Sequence, residues 1–143
     1  LQALYKTPFY TGGKWYISKY SDTYLTNVRN TGNVKIPIKA VFKAVTDCTK
    51  PELYHVGDRT YIRILGTLYA GQTITVNTAY GQRGATLTDK DGTTSDAFHR
   101  LDIDSDLELG LEPGDNILRY TAQSNREGLR LYVEAEEGVV NGL

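Results

Sequence analysis

The chain has no methionine, a single cysteine, a single tryptophan and only four prolines in 143 residues. One cysteine excludes an intramolecular disulfide, so the fold must stand on its core, which suits a reducing compartment. No apolar run approaches the roughly 18 residues that a membrane-spanning helix needs. No charged-then-apolar leader with a cleavage site opens the chain. Because the sequence begins at Leu1 and holds no Met, it reads as a fragment or a processed product. G-x-S-x-G and P-loop motifs are also missing. Gly81 and Gly84 precede no helix that could present its N-terminus to a phosphate, so they read as turn glycines.

What is present is globular and strand-rich. Apolar residues make up 40% of the chain and charged residues 23%, which argues against disorder. The net charge of −1 hides an asymmetry: residues 1–70 are basic, with ten Lys/Arg against four Asp/Glu, and the remainder is acidic, with six against thirteen. Basic residues spread along strands do not make the clustered face that nucleic acid requires. The two halves are therefore expected to interleave and neutralise each other.

Alternation with period two recurs along the chain. KWYISKY (14–20), IPIKAVFKAV (36–45), ELYHV (52–56), TYIRILG (60–66), QTITVNT (72–78), NILRYTA (116–122) and LRLYVEAEE (129–137) read as strands. In the last of these Leu129, Leu131, Val133 and Ala135 face one way. Pro37 suits a strand end or an edge. Turns are marked by Asn30-Thr31-Gly32-Asn33, Gly57-Asp58, Gly71-Gln72, Asp91-Gly92 and Pro113-Gly114-Asp115-Asn116. No window pairs a helical period with a cap and a stop. The expectation is an all-β antiparallel sandwich. Residues 27–143 form the sandwich domain, and residues 1–26 are a leader strand or a connection to an upstream domain.

Few residues invite a chemical reading. Neither His55 nor His99 lies in a recognisable nucleophile motif, so Cys48 reads as a small, partly buried residue rather than a reactive thiol. Asp102, Asp104 and Asp106, with Glu108 and Glu112 beyond, have the D-x-D-x-D spacing of a calcium loop. Counting from Asp102, however, the sixth and twelfth positions hold Leu107 and Pro113 where Gly and Glu are required. The acids also alternate with Leu101, Ile103, Leu107, Leu109 and Leu111, which predicts a strand or extended segment with one wet and one buried face. No catalytic residue, cofactor or metal site is expected. Trp15, Tyr16 and Tyr20 are the candidate contacts for a glycan or a protein partner, through ring stacking or anchoring. Core and interface packing is the competing role, since a lone Trp in a small domain is normally largely buried.

Several of these turns together resemble a known family. Leu68-Tyr69-Ala70-Gly71-Gln72 before ITVNT, Leu101-Asp102-Ile103-Asp104-Ser105, Leu111-Glu112-Pro113-Gly114-Asp115-Asn116 and the closing LRLYVEAEEGVVNGL are similar to the C-terminal domain of the distal tail protein family of siphophages. Asn30-Thr31-Gly32-Asn33 and Pro37 fit the same pattern. The resemblance spans about residues 27–143. It implies a galectin-like or carbohydrate-module-like jelly roll in the virion tail of a phage or prophage, assembled in the bacterial host cytoplasm. It also implies contacts with other tail and baseplate proteins, and a homo-hexameric ring formed only by the full-length protein. No catalytic residues come with it. Recognition of a host-surface glycan is the alternative role.

Overall fold

A computed structural model describes residues 25–136 and, as backbone, the strand segments 9–11 and 14–16. Nearly all of its regular structure is antiparallel β. The first half contributes β1 Phe9–Thr11, β2 Lys14–Tyr16, β3 Leu25–Asn30, β4 Ile36–Pro37, β5 Lys39–Ala44, β6 Cys48–Thr49, β7 Glu52–His55 and β8 Thr60–Arg63. The second half contributes β9 Thr67–Leu68, β10 Thr73–Asn77, β11 Gly84–Thr88, β12 Thr94–Asp96, β13 Gly110–Leu111, β14 Gly114–Thr121 and β15 Leu129–Glu136. One sheet runs β1-β2-β15-β5-β10-β11-β12 and another β3-β14-β7-β8. Two short pairs, β13-β4 and β6-β9, and two single-turn 3-10 helices, Phe98–Arg100 and Arg126–Gly128, complete the described structure.

Alternation explains how the sheets face each other. Phe42 on β5, Ile74 and Val76 on β10, and Leu129, Leu131 and Val133 on β15 are buried from one side. Val28 on β3, Leu53 on β7, Ile62 on β8, and Leu118 and Tyr120 on β14 are buried from the other, and all belong to one core cluster. This is the antiparallel sandwich expected from the period-two runs. The halves interleave as their charge predicted: β5 lies between β15 and β10, and β14 lies between β3 and β7.

Two strand readings need correction. The run 36–45 is two strands, because Ile38 leaves the ladder to meet Thr78. The Thr78 hydroxyl accepts from the Ile38 N–H at 2.8 Å and donates to the Ile38 carbonyl at 3.1 Å. Pro37 thereby falls in the short β4, opposite Gly110, where no central ladder needs its missing N–H. Gly81 is a turn residue with φ of 79°, but Gly84 opens β11 opposite Asn77.

Candidate functional site

The Leu101–Glu112 segment departs most from its expected form. It is an irregular loop up to Leu109, not an alternating strand, and Ile103 is 95% exposed. The aspartates are spent on the backbone two residues ahead of them. Asp102 accepts from the Asp104 N–H at 2.9 Å, and Asp106 from the Glu108 N–H at 2.8 Å. Such Asx turns repeat every few residues with polar side chains at even spacing, which imitates a strand in the sequence.

The loop is fastened along β8, the outer strand of the four-stranded sheet. The Asp102 N–H donates to the Arg63 carbonyl at 2.9 Å and the Asp106 N–H to the Tyr61 carbonyl at 2.8 Å. The Ser105 hydroxyl accepts from the Arg63 N–H at 3.0 Å. An edge that would otherwise offer unpaired backbone groups is thus covered. Arg63 anchors the arrangement: its guanidinium reaches Glu52 at 2.6 Å and Asp102 at 3.2 Å, and lies 4.4 Å from the centre of the Tyr61 ring. Hydrogen bonding to Glu52 raises Arg63 above its ordinary pKa.

The Asp102 carboxyl is held below its ordinary value of 3.8, first by the Asp104 N–H and then by Arg63. A depressed carboxyl contributes its stabilisation above the unfolded value and loses it as pH falls through the folded one. The Asp104 amide proton resonance is therefore expected to titrate with a midpoint below 3.8. A midpoint at or above that value in an NMR pH series contradicts the loop geometry.

The two turns that carry the family pattern are built around buried asparagines. Asn30 is 2% exposed; its Oδ1 accepts from the Gly32 N–H, and its Nδ2 donates to the carbonyls of Val34 and Leu111. Asn116 is 1% exposed. Its Oδ1 accepts from the Glu112 N–H at 2.8 Å, while its Nδ2 is shared among the carbonyls of Val28, Glu112 and Gly114. His55 is buried beside it. Because the Asp58 N–H donates to His55 Nδ1 at 3.1 Å, the ring proton sits on Nε2, which donates to Asn116 Oδ1 at 2.8 Å. His55 is therefore a brace for the turn, with both ring nitrogens committed.

Cys48 is 1% exposed on β6. Burial, and secondarily Asp47, pushes its thiol up to about 11, so almost no thiolate exists near neutral pH. Among the described residues, no three His, Cys, Asp or Glu side chains gather as a metal-binding group. Of the candidate contact aromatics, Trp15 and Tyr16 lie on β2, with Trp15 opposite Ala135 of β15. Tyr20 lies outside the described residues. Sequence reasoning missed a different aromatic group, on the solvent face of the four-stranded sheet. Tyr54 faces Tyr61 across β7 and β8, and Arg119 faces Tyr54 from β14, 4.9 Å from its ring centre. The outward positions of those alternating strands were the available signal.

Residues 31–134 match the family model for the siphovirus-type tail component, C-terminal domain. No curated protein matches the chain. Among solved structures, the chain is similar to SPP1 Dit, described as a paradigm of the hub adsorption apparatus in phages infecting Gram-positive hosts. That likeness has a TM-score of 0.60 and 19% identity, and it covers 80% of this chain and 43% of the SPP1 protein. The chain thus spans less than half the length of that relative.

Proposed function

Because the chain belongs to the siphovirus-type tail component family, through its C-terminal domain, we propose that it is a scaffolding module of a phage tail tip. In this role a rigid sandwich holds surfaces for neighbouring tail and baseplate proteins. The observation that carries the reading is the family match over residues 31–134, which includes the turn braced by Asn116. The inward use of polar groups supports it. Asn30, His55 and Asn116 are consumed in bracing turns, and Cys48 is buried and protonated. Membership of a family of tail components supports a non-enzymatic role. Residues 27–143 act as the structural unit in this reading, with residues 1–26 leading into it. In this reading the ring-forming contacts of a hexamer belong to the rest of a longer parent protein, and the isolated chain is monomeric or weakly associated.

Deleting this coding segment from the parent phage is expected to give tails without an assembled adsorption apparatus, as seen by negative-stain microscopy. Normal tips on the deletion particles would sink the scaffolding role. The rival reading, a host-surface glycan stacked on Trp15, Tyr16 or Tyr20, predicts specific glycan-array binding that Trp15→Ala removes without unfolding the chain.

A further inference from the structure

We propose that the solvent face of the β3-β14-β7-β8 sheet is where a neighbouring tail protein docks, placing a carboxylate against Arg119. This rests on the scaffolding reading and gives that role a surface and a partner chemistry.

The face is composed like an interface centre. Register places Arg119, Tyr54 and Tyr61 in one row across β14, β7 and β8. Ile117, two residues before Arg119 on the same face, is 39% exposed, and Val56, whose N–H donates to the Ile117 carbonyl, is 40% exposed. Tyr and Arg beside exposed aliphatics are the residues that dominate binding energy when they become buried. The opposite faces of these strands already fill the core through Leu53, Ile62 and Leu118, so the outward set is not needed for folding.

Charge decides what the partner brings. The other arginines of this face are satisfied within the chain: Arg29 by Asp115 at 2.9 Å, and Arg63 by Glu52 and Asp102. Arg119 is exposed and stacked on Tyr54, and it has no carboxylate or hydrogen-bond acceptor among the described residues. The ring contact holds the guanidinium beside Tyr54 and consumes none of its N–H donors. That preorganised fork suits a planar carboxylate received through two hydrogen bonds. Because the Leu101–Leu109 loop covers the β8 edge, the partner meets this face rather than adding a strand beside β8.

The test is biolayer interferometry of the full chain against each tail protein encoded beside it, purified singly, in about 0.15 M salt. Arg119→Ala is expected to weaken the strongest binder by about 30-fold or more, as when one member of a buried charge pair is removed. Arg119→Lys restores affinity only in part, because a point charge lacks the planar fork. Ile117→Thr, which removes apolar contact without touching the cation, also weakens binding. Lys43→Ala, on the larger sheet, leaves it unchanged. Melting curves that match the unaltered chain show that each variant is folded. Wild-type affinity in both Arg119→Ala and Ile117→Thr overturns this surface and leaves scaffolding standing. If no tail protein binds the unaltered chain, scaffolding fails and this surface fails with it. If the Arg119 variant loses only self-association, a second copy occupies the face and the proposed partner is wrong.

Discussion

Asn116→Ala is expected to lower the unfolding free energy by roughly 4 kcal/mol, a large fraction of what holds a typical domain folded. Truncation leaves the Glu112 N–H and His55 Nε2–H without their acceptor, and the Val28, Glu112 and Gly114 carbonyls without their donor. Each buried group left unpaired costs about 1–3 kcal/mol, reduced where water enters the space. In a domain of this size the melting temperature should fall by roughly 15 °C. Asp115→Ala, one residue away, is the control. It removes only an exposed ion pair with Arg29, which is expected to contribute about 1 kcal/mol or less. Calorimetry of the two variants separates a buried polar clamp from an ordinary polar turn. Equal melting temperatures would refute the clamp.

Gly110→Val is expected to destabilise by about 3 kcal/mol, for a steric rather than a conformational reason. Gly110 lies in β13 opposite Pro37, and a Cβ at that position would overlap the Ile36 carbonyl oxygen. That neighbour is backbone, so no side chain can swing aside. Gly81 provides the contrast. It has φ of 79°, and a Cβ there would meet nothing within 4 Å, so Gly81→Ala costs only the left-handed backbone penalty of about 1 kcal/mol. Urea midpoints should rank the variants in that order. A Gly110→Val midpoint at or above that of Gly81→Ala would show that β13 and β4 separate easily.

The sequence displayed those parts of the fold in which a strand has one wet face. Ile74 and Val76, and Leu129, Leu131 and Val133, alternate because every second side chain enters the core. Turn glycines were legible for a similar reason: Gly71, Gly92 and Gly114 hold φ of 87°, 90° and 92°, where other residues are strained. Leu101–Leu109 misled because Asx turns and strands can share a polar period of two. The burial of Asn30 and Asn116 was not legible, since a turn asparagine looks the same whether its partners are local or distant in the chain. Asn116 reaches Val28, 88 positions away. Arg119 and Tyr54 meet only because β14 pairs with β7, and neither residue alone signals that pairing.

Electron cryomicroscopy of tail tips from the phage that encodes this chain would show whether the sandwich is a part of the tail. Density at the hub is expected to fit the two-sheet sandwich and to touch at least one other tail protein. Complete, infectious tails whose hub density is fully occupied by other proteins, with this chain absent from the particle, would contradict it.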